Sequence, residues 1–227
     1  MGRRYRFYVT LAAQVLPNMQ ILAFSDQVYD LLYSPQAQAR FGGVGLAISC
    51  GDLPYYYVEY IVSKLDKPTF YVRGNHFARE EIGENGVSAG PEGATDLHRR
   101  IVRQPNLILA GVDGCLRYRP GPRLYSQAEM WWYVFSLVPG LLVNHLRFGR
   151  YLDVFVTHAP PWGIHDADDL PHRGIKAFLW LDRVFQPAYH LHGHTHLLHQ
   201  IKRQEFQLGG TRIVNVFGYR VIELPAQ

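Results

Sequence analysis

Short apolar runs that end in small or polar residues recur along the chain, and they constrain the fold more than any other feature. There are six of them: "ILAFSD" (21–26), "LAISCGD" (46–52), "TFYVRGNH" (69–76), "LILAGVDG" (107–114), "DVFVTHAPP" (153–161) and "AYHLHGHTH" (188–196). Runs of this kind are typical of buried strands. Helix-like segments at 55–65 and 174–186 lie between some of them, which predicts a layered α/β domain. Ligands in such sheets bind beyond the carboxyl ends of the strands, so functional residues are expected there.

Two segments depart from this alternation. Residues 77–98 are rich in Gly, Glu and small residues, which predicts a long loop. Residues 126–148 are rich in aromatic residues and predict a helical or helix-break-helix segment that caps the domain. Their apolar stripe at 130–143 is interpreted as packed core, with a lipid-binding lid as the alternative. Alternating residues in the tail, 201–224, predict closing strands.

Length and charge set the broad class of the protein. A chain of 227 residues, 48% of them hydrophobic, can form a single domain over 1–227, with a helical lid insertion at about 117–150. The net charge of +4 suits an anionic ligand such as a phosphate ester, a nucleic acid or a lipid surface, without choosing among them. The basic stretches at 2–6 and 117–123 are interpreted as solvated surface.

Cysteine usage and the N-terminus bear on the compartment. Cys50 and Cys115 each lie in an apolar run, as reduced and buried thiols do, so no disulfide is expected. Residues 1–16 superficially resemble a secretion signal, but cleavage after them would fall just before the predicted strand at 19–26, which the fold needs. We therefore expect a cytoplasmic protein. The apolar stretch 130–143 contains a Pro-Gly break and is too short to span a membrane.

Candidate metal ligands collect at the predicted strand ends. They are Asp26, Asp52, Asn75, His76, His158, His194 and His196. A mixed set of oxygen and nitrogen donors suits Mn²⁺, Fe²⁺ or Zn²⁺ better than Ca²⁺ or Mg²⁺. The alternatives are helix capping for the two aspartates and a turn role for Asn75. The further histidines His190, His192 and His199 are interpreted as core residues with satisfied hydrogen bonds.

Five ordered motifs together resemble a known family. "SD" at 25–26, "GDLP" at 51–54, "GNH" at 74–76, "THAPP" at 157–161 and "GHTH" at 193–196 occur in the order found in the calcineurin-like metallophosphoesterases. The resemblance spans residues 20 to about 220. It implies an α/β fold, a four-layer αββα sandwich of two mixed β-sheets flanked by helices. It also implies a two-metal site at one end of the sandwich.

The resemblance also implies a role for each candidate residue. Asp26 and His196 would hold the first metal ion, Asp52 would bridge both ions, and Asn75, His158 and His194 would complete the second. His76 would bind no ion, because in the family it stands beside the scissile phosphate as a general acid or charge stabiliser. Two such ions bind the phosphoryl oxygens and activate water, while an imidazole protonates the leaving group.

Two residues depart from the family pattern. The first motif is usually Asp-x-His, whereas Val28 stands here in place of the histidine and cannot coordinate. The first site is therefore expected to bind its ion weakly, to recruit Asp30 or water, or to stand empty. Phe77 replaces an acidic residue that usually follows the third motif, so a partner that orients His76 is missing unless Glu80 or Glu81 supplies it.

The predicted function is a cytoplasmic, metal-dependent phosphoesterase that uses two Mn, Fe or Zn ions and activated water. A phosphodiester is favoured over a phosphomonoester, because a lone general-acid histidine suits a poor leaving group and no set of phosphate-gripping arginines is evident near the motifs. A phosphorylated small molecule is the expected substrate, with nucleic acid or a lipid-linked phosphate also open. The alternative is a non-catalytic scaffold for protein binding, as in some members of this fold such as a retromer subunit, and Val28 and Phe77 favour it.

Overall fold

The computed structural model describes residues 19–76, 90–196 and 204–224, together with the backbone of 81–83 and 86–88. Phe77, Glu80, the side chain of Glu81, His199 and residues 1–18 lie outside the described residues. The predictions that concern them are therefore not addressed by the structure.

Fifteen strands and four helices are present in the described residues. The strands are β1 (Met19–Ser25), β2 (Leu46–Ser49), β3 (Thr69–Tyr71), β4 (Glu81–Gly83), β5 (Gly86–Ser88), β6 (Ala94–Asp96), β7 (Ile101–Gln104), β8 (Leu107–Val112), β9 (Cys115–Leu116), β10 (Leu124–Tyr125), β11 (Val154–Thr157), β12 (Tyr189–His192), β13 (Glu205–Leu208), β14 (Thr211–Asn215) and β15 (Gly218–Leu224). The helices are α1 (Ala37–Phe41), α2 (Tyr55–Leu65), α3 (Gln127–Phe148) and α4 (Lys176–Phe185). The six predicted strands and the helices near 55–65 and 174–186 are confirmed.

Two mixed sheets form the centre of the molecule. The first sheet has the order β15-β1-β2-β3-β6, in which β15 is antiparallel to β1 and the other neighbours are parallel. The second has the order β13-β14-β12-β11-β8-β7, with antiparallel pairs at both edges and parallel strands between them. The parallel strands of each sheet therefore end at a common edge, where the candidate ligands follow them.

The central core lies between the two sheets. Ile48 and Phe70 of the first sheet belong to the same buried cluster as Leu109 and Val156 of the second. Because side chains alternate across a strand, the intervening residues face outward, and most of them are also apolar and buried. Both sheets are therefore buried on both faces, which requires a layer of helices on each side.

The helices supply these two outer layers. Tyr57 and Ile61 of α2 pack against Phe24 on the outer face of the first sheet. On the outer face of the second sheet, α3 and α4 pack around Phe155. The predicted four-layer αββα sandwich of two mixed sheets is confirmed. Among the described residues, none of the helices combines the length and the apolar character needed to cross a bilayer.

The prediction of a long loop over residues 77–98 is wrong for part of the segment. Ala94–Asp96 form β6, which pairs with β3 at the edge of the first sheet, and β4 pairs with β5 as a small hairpin. The sequence of β6 contains no apolar run. As a short edge strand, β6 is held by main-chain hydrogen bonds to β3 and by the ion pair between Arg73 and Asp96, so its position does not depend on burial of apolar side chains.

The segment at 126–148 forms one continuous helix, α3. Ser126 and Glu129 form a capping box at its start, and Gly149 ends it in a left-handed conformation. Pro139 lies on the exposed side of α3, where the carbonyl group that loses its hydrogen bond can be solvated. The helix therefore continues through a residue that usually interrupts one.

The two sides of α3 predict different effects of the same substitution. Leu141 is fully buried in the cluster beneath α3, and its neighbour Leu142 is 49% exposed. Leu141→Ala should lower the free energy of unfolding by about 2–5 kcal/mol through lost burial and a cavity. Leu142→Ala should change it by only about 0.5 kcal/mol. Urea denaturation of both variants measures the difference, and equal losses would contradict the assigned orientation of α3.

Candidate metal centre

Three side chains at the strand ends are presented from strained backbone. Asp26 follows β1, Asp52 lies shortly after β2, and His194 lies shortly after β12. All three have positive φ angles, 65°, 54° and 67°, in the left-handed region that non-glycine residues seldom adopt. Such conformations cost about 1–3 kcal/mol each and cluster at functional sites. The surrounding contacts must therefore hold these residues in place.

His158 is the residue around which the site is built. It follows β11 directly and is fully buried. Its Nδ1 lies 2.8 Å from the carbonyl oxygen of Cys50, which can only accept, so Nδ1 carries a proton. Its Nε2 lies 3.0 Å from Oδ1 of Asn75 and 3.3 Å from Oδ2 of Asp52. One nitrogen and two oxygens thus face a common point.

These spacings fit a shared metal ion. Two donors that each lie about 2.0–2.2 Å from one ion are about 2.8–3.6 Å apart at tetrahedral or octahedral angles. Both distances from His158 fall in that interval. Ligand atoms of Asp52, His158 and His194 all lie within 4.8 Å of one another. The donor set of carboxylate, amide and imidazole suits a transition-metal ion.

Two hydrogen bonds orient further ligands of the same ion. Nε2 of His194 lies 2.8 Å from the carbonyl oxygen of Pro171, so Nε2 carries the proton and Nδ1 keeps its lone pair. Nδ2 of Asn75 donates to the hydroxyl of Tyr118 at 3.4 Å, which turns the amide oxygen towards His158. Hydrogen bonds of this kind commonly fix metal ligands in their coordinating orientation.

The second group of candidate residues is less complete. The Asp26 side chain is 1% exposed, and both of its oxygens accept from the backbone N–H of His194, at 2.9 and 3.1 Å. Nε2 of His196 lies 3.8 Å from Oδ1 of Asp26, although His196 is half-exposed. Val28 is exposed and offers no donor atom. This half of the site therefore has fewer ligands than the half around His158.

Burial and mutual contact set the protonation states. Burial opposes ionisation of Asp52, but His158 and His76 together outweigh burial and lower the pKa of Asp52 below its usual range. Burial likewise opposes charge on His158, but Asp52, Asp26 and the carbonyl group of Cys50 together outweigh it and raise the pKa of His158 to about 9. Burial and the nearby His158 lower the pKa of His194 to about 3, so His194 is neutral. An arriving cation would displace one proton from His158.

His76 lies at the solvent side of this group. Its backbone N–H donates to Oδ1 of Asp52 at 2.9 Å, and its ring Nε2 lies 4.0 Å from Oδ2 of the same carboxylate. The His76 side chain is 62% exposed. It therefore lies beside the candidate ligands and is open to a molecule that approaches from solvent.

All seven residues singled out in the sequence lie in this one region, and their roles remain proposals. Sequence inspection missed Tyr118, which belongs to a stretch interpreted as solvated surface. It also missed the carbonyl groups of Cys50 and Pro171, which carry no side-chain signature. Tyr118 follows the short strand β9 in the segment that leaves the end of β8, and that position is the one signal that could have indicated it.

Two of the predicted core histidines have internal partners. His190 is fully buried between Asp182, 2.7 Å from its Nδ1, and Thr157, 2.8 Å from its Nε2. His192 is also fully buried, and its Nε2 lies 2.9 Å from Nδ1 of His165. Their interpretation as core residues is confirmed.

Comparison with known proteins identifies the fold. No protein-family model and no curated protein sequence matches the chain. A crystal structure of TT1561 of Thermus thermophilus is similar over 92% of this chain and 99% of that one, with a TM-score of 0.58 and 15% identity. The chain has the calcineurin-like metallophosphoesterase fold. Lower similarity is found to a single mutant of Vps29 from Entamoeba histolytica, with a TM-score of 0.42, 12% identity and coverage of 88% of this chain and 74% of that one. GAP50 of Plasmodium gives a TM-score of 0.45, 11% identity and coverage of 88% and 71%.

The tight approach at Gly193 gives a test of the site geometry. A Cβ atom on Gly193 would overlap Oδ2 of Asp26 and Oγ of Ser25. Gly193→Ala should therefore displace the Asp26 carboxylate and weaken Mn²⁺ binding by about 10–100-fold. Gly43→Ala is the matched control, because a Cβ there meets no atom within 4 Å. Calorimetric titration of chelated protein measures both, and unchanged binding by Gly193→Ala would contradict the geometry.

Proposed function

We propose that the chain is a metal-dependent phosphoesterase that holds two divalent transition-metal ions. The observation that carries this proposal is the spacing around Nε2 of His158, which matches the distances between ligands of one ion for both Asp52 and Asn75. These two side chains and His158 come from three separate strand ends. Their convergence on one point has no role in packing the core, which the apolar clusters fill.

The proposed ligands divide into two sets that share Asp52. Asn75, His158 and His194 complete the second ion site with Asp52, and their hydrogen bonds to Tyr118, Cys50 and Pro171 orient them. Asp26 and His196 form the first ion site with Asp52 and with solvent. The ions would be Mn, Fe or Zn, since these accept both carboxylate and imidazole ligands.

The chemistry follows from this arrangement. Bound divalent ions polarise a phosphoryl group and make water a stronger nucleophile at neutral pH. His76, which is exposed beside Asp52, donates a proton to the leaving oxygen of the ester. The buried residues around His158 would hold the ion that binds the phosphate, and the backbone N–H of His76 holds Asp52 in place.

The bond hydrolysed is proposed to be a phosphodiester in preference to a phosphomonoester. A monoester dianion is commonly held by several arginines. Arg73, Arg117 and Arg123 lie in segments next to the site, and each forms an ion pair with a carboxylate of the chain. These pairs leave less positive charge for a substrate dianion. A phosphorylated small molecule is the proposed substrate class, with nucleic acid and lipid-linked phosphates as the other classes to test.

The proposed place of action is the cytoplasm. Cys50 and Cys115 are both buried and free, which suits a reducing compartment.

A second candidate function is a protein-binding scaffold without catalysis. Val28 favours it, because the first ion site lacks one ligand and should therefore bind its ion more weakly. The deciding experiment chelates the protein, reloads it with Mn²⁺, Zn²⁺, Fe²⁺ or Mg²⁺, and measures hydrolysis of aryl phosphomonoesters and diesters. Metal-dependent hydrolysis supports the enzyme. A protein that hydrolyses neither ester with any ion, and binds ions substoichiometrically, would contradict the proposed enzyme and favour the scaffold.

His76→Ala separates proton donation from metal binding. The variant should lower turnover by about 10²–10⁴-fold, as expected for loss of a general acid, while metal content stays unchanged. His145→Ala is the control, because His145 is an exposed histidine on α3. Turnover and metal content are measured on the same samples. Stoichiometric loss of metal from His76→Ala would show that His76 is a ligand and that its assigned role is wrong.

Val28→His tests the unequal affinity of the two ion sites. The natural protein should hold one ion tightly and exchange the other, with activity rising as excess Mn²⁺ fills the weaker position. Losing a hydrogen-bond partner of a ligand already costs about 10–100-fold in affinity, so adding a direct ligand should lower the Mn²⁺ concentration for half-maximal activity by at least about tenfold. Val28→Leu, which adds no donor, should leave it unchanged. Two equally tight ions in the natural protein would refute the asymmetry.

A further inference from the structure

Helix α3 is apolar on both sides. Its inner side is buried against the second sheet through residues such as Val134, Leu137 and Leu141. A helix that packs on a sheet needs one apolar face, and its other face is normally polar. From Trp132 to the end of α3, the exposed residues are apolar except for Ser136, His145 and Arg147. Packing within the chain leaves this face unexplained.

Large apolar side chains are exposed along the whole of this face and on the adjoining α4. We call them the α3–α4 surface: Trp132, Phe135, Leu142, Val143, Leu146 and Val184. Leu146 is 85% exposed and Trp132 is 66% exposed. The exposed faces of the two helices form one continuous surface, because Trp180 of α4 packs against Phe135 of α3 with ring centroids 5.3 Å apart. Exposed apolar patches of this size mark contact sites on soluble domains.

Among the described residues, the exposed charges on these two helices that have no opposite partner are positive. They are Arg147, Lys176 and Arg183. Of the two acidic residues within α3 and α4, Glu129 pairs with Arg117, and Asp182 is fully buried beside His190 and does not reach the surface. An apolar row flanked by unopposed positive charge complements an anionic lipid surface, in which acyl chains accept the apolar groups and headgroups attract the cations.

The dimensions of the surface also favour lipid over a second copy of the chain. The 22 residues of α3 and the 10 residues of α4 span about 33 and 15 Å, and one helix face is about 10 Å wide, which gives roughly 480 Å² for the two helices together. A stable protein dimer buries about 800 Å² on each partner. The α3–α4 surface is too narrow to supply that area, whereas a helix that lies on a bilayer needs only its exposed side.

We propose that the α3–α4 surface docks on an anionic membrane surface, with α3 parallel to the bilayer and its exposed side chains among the headgroups. The chain would lie on the membrane and not span it, because α3 is anchored to the second sheet along its inner side. This contact uses no residue of the candidate metal centre, so it stands or falls independently of phosphoesterase activity.

Sedimentation of the full chain with vesicles tests this proposal. The chain should sediment with vesicles of phosphatidylcholine mixed with phosphatidylserine, and less with phosphatidylcholine alone. Trp132→Gln combined with Leu146→Gln should weaken binding to the mixed vesicles by about tenfold or more. Arg147→Glu combined with Arg183→Glu should weaken it by at least about fivefold for each arginine. The exposed positions of Trp132 and Leu146 mean that their variant should leave the folding transition in urea unchanged. The arginine variant should lower the free energy of unfolding by about 0.3–1 kcal/mol for each arginine, because both lie in the last turn of a helix.

Phe206→Gln is the matched control. Phe206 is 46% exposed on β13, which lies at the opposite edge of the second sheet from the strands β7 and β8 beneath α3. Its replacement should leave vesicle binding unchanged. Absence of binding by the natural chain, or equal binding by the Trp132 and Leu146 double variant, would overturn the proposal. A natural chain that dimerises in solution, ignores vesicles and becomes monomeric in the double variant would instead assign the surface to self-association.

Discussion

The contact between His158 and Asp52 joins the two sheets at the end of the sandwich that carries the candidate site. His158 follows a strand of the second sheet and Asp52 follows a strand of the first, and their side chains lie 3.3 Å apart. The same histidine donates to the carbonyl group of Cys50, again across the sheets. The backbone N–H of His194 and the carboxylate of Asp26 form a second link of this kind. A cation at this point would therefore bridge both halves of the core and stabilise the folded chain as well as the site.

Much of the fold followed from hydrophobic patterning. Strands buried on both faces produce uninterrupted apolar runs, so β1, β2 and β8 were evident from sequence. The edge strand β6 was missed because its three residues are small or polar and its stability comes from pairing with β3. The continuity of α3 was also left open, since Pro139 normally interrupts a helix and only its exposed position permits it here.

The candidate site, like the fold, could be predicted from the sequence only in part. Side chains at strand ends, such as Asp52 and His158, could be predicted because parallel strands bring their carboxyl ends to one edge. The groups that orient them could not, since the carbonyl oxygens of Cys50 and Pro171 have no counterpart in residue identity. Strain was equally invisible: the positive φ angles of Asp26 and His194 depend on loop closure between distant segments.

The outer side of α3 carries large apolar residues that the fold does not require. Leu141 and Leu142 are neighbouring leucines in different environments. Leu141 is buried and stabilises the folded chain, whereas Leu142 is half-exposed. Apart from Phe135, which packs against Trp180, the exposed row gains little from packing within the chain, and the proposed membrane contact accounts for its apolar character. The geometry of the sandwich makes such a contact compatible with the site. α3 lies along the outer face of the second sheet, whereas the candidate ligands lie at its edge, beyond the strand ends. A membrane bound to the α3–α4 surface would therefore run alongside the sandwich and leave the exposed side chain of His76 accessible to substrate.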